Sequence, residues 1–146
     1  MTPIRLTSIE RDAWAVGQEE ILLMGGASFS EWATLISHEA HSCFVAGADI
    51  ATIILCASSV EAYLRSEMSD QRSKLVDLID GFGFKEDVRE QVHQLRKERN
   101  NWVHLAEHKS KFDLTSFEKA YTPELEKAAM LAYHTMLRVL FSDQWV

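Results

Sequence analysis

The stretch I-A-T-I-I-L-C-A-S-S-V-E-A-Y-L-R, residues Ile50–Arg65, decides the fold of this chain. It is apolar nearly all round until Ser58, which is typical of a helix buried at the centre of a bundle. Its β-branched residues would also suit a strand, but its length and the helical patterns on both sides favour a helix. We therefore predict that Asp49 caps a central helix that runs to about Met68.

Helical spacing of apolar residues continues on both sides of this stretch. Few glycines and prolines interrupt it, and we find no strand alternation and no internal repeat. The sequence predicts an all-α, up-and-down bundle of five to six helices, formed as a single domain by residues 1–146. Further helices are predicted at Thr7–Met24, from a cap at Ser28 or Ser30 to about Val45, at Gln71–Asp80, at Lys85–Val103, and from Thr122 to about Phe141.

The polar segment His108–Thr115 is predicted to be a loop. Each of the first two helices is predicted to have one apolar side. The apolar side of the first helix is predicted to comprise Ile9, Ala13, Val16, Ile21 and Leu22. That of the second is predicted to comprise Trp32, Leu35, Ile36, Ala40, Cys43 and Phe44.

Composition indicates a globular protein: 47% of its 146 residues are hydrophobic and 25% are charged. No signal peptide pattern is present, and the longest apolar run is too short to span a bilayer. Cys43 and Cys56 lie in apolar helical surroundings and do not form a C-x-x-C, so we expect reduced thiols. We therefore expect a soluble, cytoplasmic protein without a membrane partner.

The net charge of −7 argues against a protein that coats nucleic acid with a broadly basic surface. Positive charge is nevertheless concentrated in one region. From Arg89 to Lys111 there are six Lys or Arg against three Glu, a local excess of three positive charges. A small anion-binding site is therefore compatible with the acidic chain.

That region contains L-R-K-E-R-N-N-W-V-H-L, residues Leu95–Leu105, on the predicted motif helix of about residues 85–104. Spacings of four and three place Arg99 on an apolar seam between Leu95 and Trp102. A cation at such a position is costly unless it is paired or lines a cleft. Arg99 either extends its charged end into water or is held rigidly as an anion-binding group.

A polar strip adjoins this seam, and we predict that His93, Arg96 and Lys97 on it contact a phosphate backbone. The alternative is an ordinary solvated helix face. Arg99 and His104 are five residues apart, which is roughly 140° around an ideal helix. Either Arg99 reaches round the helix, or the helix loosens near His104.

These residues resemble the HEPN superfamily, whose members are small all-α bundles with an R-x4–6-H motif late in a helix. Here the motif is Arg99-Asn100-Asn101-Trp102-Val103-His104, with Asn directly after Arg. The preceding segment A-S-S-V-E-A-Y-L-R, Ala57–Arg65, and the closing amphipathic helix also resemble that superfamily. The resemblance covers about Asp49–Phe141.

The resemblance implies a metal-independent endoribonuclease without a cofactor, active as a homodimer in which both motifs meet at the interface. It also implies a toxin paired with a nucleotidyltransferase-type antitoxin, or a component of phage defence. RNA would be the substrate, and Arg99, Asn100 and His104 would be the catalytic residues. Other members of the superfamily are non-catalytic dimers, so a helical module that binds a nucleotide, RNA or a protein partner is the alternative.

Metal-free RNA cleavage fits a dimer because it needs a base, an acid and a cation, whereas one chain offers a single motif histidine. Glu61 interrupts the apolar central helix, and two partners are predicted for it: Arg99 or Arg96, whose guanidinium it would fix, or Arg65 one turn away. The segment His38-Glu39-Ala40-His41 is one residue shorter than a zinc-binding H-E-x-x-H and has no evident third ligand. We therefore expect no metal site there.

Overall fold

The computed structural model describes residues 5–104 and 122–145 of the chain. Within these residues the protein is a bundle of six α-helices without strands, which confirms the predicted all-α class. The predicted loop His108–Thr115 lies outside the described residues. The helices are α1 (Ser8–Leu22), α2 (Glu31–Val45), α3 (Asp49–Met68), α4 (Leu75–Phe82), α5 (Glu86–Val103) and α6 (Thr122–Leu140).

Helix α3 lies at the centre, as its apolar sequence predicts. It packs most extensively against α2 and α6, and it also contacts α4 and α5. Its buried side chains include Ile53, Cys56, Tyr63 and Leu64. Burial raises the pKa of the Cys56 thiol, and neither Cys56 nor Cys43 is in a disulfide. The core is therefore built around α3, with α1 and α2 on one side and α4 and α5 on the other.

Side-chain caps start α1 and α2, whereas α3, α4 and α5 begin without a side-chain capping bond. Thr7 and Glu10 form a reciprocal capping box at α1, and Ser30, one of the two predicted caps, caps α2. The prediction that Asp49 caps α3 is wrong. Asp49 is the first residue of the helix and makes no capping bond, because its carboxylate is buried and bonded to Arg11.

The predicted apolar side of α1 is largely wrong, and that of α2 is wrong in part. On α1 the buried residues are Arg11 and Ala15, whereas Ile9 and Val16 are exposed. On α2 the buried residues include Ala40 and Phe44 as predicted, but Trp32 is 70% exposed and Leu35 is 52% exposed. Both helices thus leave some large apolar side chains on the surface, while α1 buries the charged Arg11.

Polar bonds between helices fix α5 and α6 side by side. Arg138 on α6 donates to Gln91 Oε1 at 2.8 Å and to Asp87 Oδ2 at 3.1 Å. The bond from Arg138 lowers the pKa of Asp87. Before α5, Gly83 ends α4 with φ +89°, a conformation that a side chain disfavours. The motif helix is thus held against the core at its first turns.

Candidate functional site

Helix α5 presents the predicted seam to the core. Val92 and Leu95 are buried, and Val88 and Trp102 pack against the core as partly buried residues. Arg99 lies on the same seam and is partly buried. The sequence therefore placed Arg99 correctly at a position where its neighbours are apolar.

Asn100 contacts both of the other motif residues. Its side-chain oxygen accepts hydrogen bonds from Arg99 Nε at 3.3 Å and from Arg99 Nη2 at 3.1 Å. Its backbone oxygen accepts a bond from the His104 backbone N–H at 2.9 Å. An uncharged amide thus orients the guanidinium, and within the described residues no carboxylate forms an ion pair with Arg99. The positive charge of Arg99 stays available to an anion.

The α-helix ends between the two ionisable motif residues. Its last residue is Val103, and His104 follows with φ −105° and ψ +54°, outside the helical region. His104 is exposed at this end. The helix ends before His104, which is one of the two predicted alternatives, but no hydrogen bond joins the Arg99 and His104 side chains among the described residues. The His104 backbone N–H still donates to the Asn100 carbonyl, so His104 is the C-cap residue of α5.

The predicted phosphate-contacting residues surround one open hollow of about 670 Å³ on α5. His93 Nε2 lies 2.8 Å from Asp80 Oδ1, so His93 is tied to the end of α4. Arg96 Nε is buried without a hydrogen-bond partner among the described residues, and Lys97 is exposed. His93, Arg96 and Lys97 are therefore adjacent, but Asp80 and Glu90 share their hollow and reduce its positive charge.

Glu61 adopts the second of its two predicted pairings. Arg65 Nη2 donates to Glu61 Oε1 at 3.2 Å, one helical turn away. No ion pair within the described chain joins Glu61 to Arg96 or Arg99. Arg65 also donates to the backbone oxygens of Asp70 and Ser73, so this pair fixes the connection between α3 and α4. Glu61 therefore acts on that connection and does not hold the motif arginine.

Sequence reasoning missed a buried ion network that joins three helices. Arg11 is 1% exposed and bonds Asp49 Oδ1 at 2.7 Å and Glu126 Oε2 at 2.8 Å. Arg5 also pairs with Asp49. Burial alone would lower the pKa of Arg11, but bonds to Asp49 and Glu126 outweigh it and raise that pKa. The only signal in the sequence is an arginine one turn before Ala15, among residues that otherwise read as an exposed helix surface.

A second concave region lies between α1, α2 and α6. It is a groove of about 450 Å³ with an apolar floor that includes Met136 and Leu140. Tyr133 lies in its wall, and burial together with the nearby Glu19 carboxylate raises the pKa of Tyr133. His41 Nε2 lies 3.1 Å from Asp12 Oδ1 at its rim. Among the described residues, no three His, Cys, Asp or Glu side chains are grouped to hold a metal ion.

Comparisons with protein-family models, with curated proteins and with solved structures return no match for this chain. No described helix is both long enough and apolar enough to cross a bilayer.

Proposed function

We propose that this protein is a metal-independent endoribonuclease of the HEPN type, active as a homodimer with a composite site. Arg99, Asn100 and His104 of both chains form that site. The observation that carries the proposal is the pair of hydrogen bonds by which the Asn100 side chain orients the Arg99 guanidinium without neutralising it, near His104 at the end of α5.

The charge of Arg99 supports this role. A half-buried guanidinium that is oriented by an amide keeps its full charge for a phosphate, whereas a carboxylate partner would neutralise it. A preorganised cation is most effective where negative charge develops in the transition state. Arg99 would therefore stabilise the phosphorane formed when the RNA 2′-oxygen attacks the phosphorus.

Two histidines complete the proposed reaction. His104 of one protomer accepts the proton of the 2′-hydroxyl, and the 2′-oxygen forms a bond to phosphorus. The partner subunit's His104 donates a proton to the 5′-oxygen as the phosphorus–oxygen bond to the next nucleotide breaks. The products are a 2′,3′-cyclic phosphate and a 5′-hydroxyl. Each chain has one such histidine, so a two-fold axis beside α5 supplies the second.

Exposed apolar residues beside the motif support a dimer contact there. Val103 precedes His104 and is exposed, and Leu131 on α6 is 47% exposed. Leu131 lines a small hollow with Leu95 and Glu98 of α5. Burial of such side chains against a second copy would favour association. His93, Arg96 and Lys97 would then contact the phosphates that flank the scissile bond.

The biological setting proposed here is that of a toxin or a phage-defence component. The motif resemblance carries this part of the proposal, and an antitoxin of nucleotidyltransferase type would be the cognate partner. A cell-growth assay tests it: expression of the wild-type chain is expected to arrest growth, and His104→Ala is expected to remove that effect.

Cleavage of RNA in excess chelator tests the activity. The wild-type protein should yield fragments that end in a 2′,3′-cyclic phosphate. Arg99→Ala and His104→Ala should each lower the cleavage rate by about 100-fold or more. Arg72→Ala and His38→Ala change the same residue types at exposed positions away from the motif and should leave the rate unchanged. Equal cleavage by the motif variants and the wild type would refute the proposal.

Mixing wild-type and His104→Ala chains tests whether the site is shared. If each reaction needs two histidines from two chains, activity follows the square of the wild-type fraction after the subunits exchange. If one chain suffices, activity falls linearly with dilution. Light scattering should show a dimer, and a monomer at micromolar concentration contradicts the composite site.

A non-catalytic helical module that binds a nucleotide, RNA or a protein partner is the second candidate. The chain outside Arg89–Lys111 carries a net charge of −10, which would repel RNA from much of the surface and favours this alternative. Ligand binding without any RNA cleavage in excess chelator would favour this second candidate.

A further inference from the structure

The groove between α1, α2 and α6 has the size of a site for a small organic molecule. Its volume is about 450 Å³, and ligand pockets in proteins typically measure about 300–1,000 Å³. On α6 it extends from Tyr133 to Leu140, which lie about 10 Å apart along the helix axis. Val16 and Glu19 line it from α1, and α2 contributes Ser37, His38, His41 and Ser42. We call this site the three-helix groove.

The floor of the three-helix groove is apolar and partly aromatic. Met136 and Leu137 of α6 lie in it beside Leu140. The rings of Phe29 and Phe141, whose centroids are 6.5 Å apart, also line it. An apolar ligand would be removed from water here, and the faces of aromatic rings also attract a positive charge.

A single carboxylate gives the groove its charge. Among the described residues that line it, Glu19 is the only acidic one, and none is Lys or Arg. Tyr133 in the wall is 1% exposed. Burial, followed by the negative charge of Glu19, raises the pKa of the Tyr133 hydroxyl, so this hydroxyl stays protonated and can donate a hydrogen bond to that carboxylate. Such an uncharged donor would orient the Glu19 carboxylate and leave its charge to a ligand.

Helices α1 and α2 carry negative charge without a balancing exposed Lys or Arg. Residues 7 to 48 contain Arg11 as their only Lys or Arg, and its side chain is buried in the ion network. On α6, Arg138 is bonded to Asp87 and Gln91 of α5. The acidic residues of the same segment are all exposed: Glu10, Asp12, Glu19, Glu20, Glu31 and Glu39. The surrounding charge therefore attracts a cation and repels an anion.

We propose that the three-helix groove binds a small organic cation, namely an amine with an apolar body about 10 Å long. Its ammonium group would donate to Glu19, and its body would lie on the apolar floor beside Phe29 and Phe141. A carboxylic acid with the same body fits poorly, because its charge would meet that of Glu19. The proposal goes beyond the proposed ribonuclease, since no residue that lines this groove belongs to the motif on α5.

A titration with 4-phenylbutylamine tests the proposal. This probe is a primary amine that is charged at pH 8, and its ring and chain together match the length of the groove. Calorimetry with the full chain should give a dissociation constant of about 0.1 mM or lower. The uncharged 4-phenylbutanol should bind about fivefold more weakly, and 4-phenylbutyrate at least about tenfold more weakly. Ethylamine has the charge without the body and should not bind detectably.

Paired variants locate the site. Glu19→Gln should weaken binding of 4-phenylbutylamine about fivefold and remove its advantage over 4-phenylbutanol. Glu20→Gln is the matched control, because Glu20 is the next residue of α1, is also exposed and does not line the groove. Ser42→Phe should fill the groove and abolish binding of the amine and the alcohol alike. Ser66→Phe places the same ring at an exposed serine of α3 and should have no effect.

Four results would overturn the proposal. The first is no binding of 4-phenylbutylamine below about 1 mM, and the second is equal binding of the acid and the amine. The third is an equal effect of Glu19→Gln and Glu20→Gln, which would show attraction by the overall surface charge and not by a site. The fourth is a dimer of this chain that Ser42→Phe converts to a monomer, since a second copy would then occupy the groove. None of these measurements uses RNA, so this proposal and the proposed ribonuclease fail separately.

Discussion

Arg11 Nη1 lies 2.7 Å from Asp49 Oδ1, so a charge pair joins the first turn of α1 to the first residue of α3 inside the bundle. Glu126 on α6 accepts a second bond from Arg11, and the Phe44 ring lies 4.9 Å from the guanidinium carbon. Three helices that are distant in sequence therefore meet at one arginine. Removing Arg11 should cost more stability than removing one member of a surface ion pair, because its carboxylate partners would stay buried.

Replacing Arg11 should destabilise the fold strongly. Arg11→Met keeps the packing volume but leaves the Asp49 and Glu126 carboxylates without their shared buried cation. We expect the free energy of unfolding to fall by about 3–5 kcal/mol, measured by urea denaturation. Arg5→Met is the control, because Arg5 pairs with the same Asp49 from a partly exposed position and should cost less. Equal stability of Arg11→Met and the wild type would refute a stabilising role for the network.

The side-chain amide of Asn100 should be needed because it is uncharged. Asn100→Asp keeps the shape of the side chain but gives Arg99 a carboxylate partner. If the proposed ribonuclease activity holds, this variant should cleave RNA about 100-fold more slowly while unfolding at the same temperature or higher. Its affinity for a non-cleavable RNA with 2′-deoxy substitution should fall as well. An Asn100→Asp protein with wild-type affinity would contradict the role assigned to the Arg99 charge.

Stability should decrease in acid partly because of His134. Burial, with a contribution from the Arg138 charge, lowers the pKa of His134 below its ordinary value of 6.5. The unfolded chain binds a proton near that ordinary pKa, whereas the folded chain binds it only at lower pH. The free energy of unfolding therefore decreases as the pH falls through about 6.5. His134→Gln cannot titrate. The stability of the wild type relative to this variant should therefore decline between about pH 8 and pH 5. Parallel curves over this range would contradict the prediction.

Gly26 should be intolerant of a side chain because Trp145 lies against it. The two residues exchange backbone hydrogen bonds of 2.7 and 2.8 Å, and a Cβ on Gly26 would collide with the Trp145 indole. Gly26→Ala should displace the indole and break both bonds. A change in tryptophan fluorescence and faster amide exchange at Trp145 would report this. Gly17→Ala is the control, since a Cβ there meets no atom within 4 Å.

The central helix and the motif seam were predictable because burial there follows apolar sequence. Every residue of α3 from Ile50 to Ala57 is buried or partly buried, as the apolar composition of this stretch predicts. Val92 and Leu95 likewise identify the inner side of α5. The break in the helix before His104 was one of two predicted solutions to the spacing of the motif. It could be anticipated from the polar sequence that follows.

The inner side of α1 was not predictable from hydropathy, and that of α2 was predictable only in part. Periodicity assumes that large apolar residues are covered by the same chain, and here Ile9, Trp32 and Leu35 are not. It also assumes that a charged residue is exposed, whereas Arg11 is buried because partners from α3 and α6 compensate its charge. The pairing of Glu61 could not be chosen either, since Arg65 fits helical spacing whereas Arg96 and Arg99 lie on another helix. Such choices depend on contacts between segments that no local pattern contains.

Helix α6 makes polar bonds to α1 and to α5 at two neighbouring positions. His134 Nδ1 lies 2.7 Å from Gln18 Oε1 on α1, and four residues later Arg138 binds Asp87 and Gln91 on α5. Four residues correspond to about 6 Å along a helix axis. A rigid displacement of α6 along its axis would therefore strain both attachments at once. The position of a single helix therefore links the α1 side of the bundle to the α5 side, and a ligand that shifted α6 from one side would alter affinity on the other.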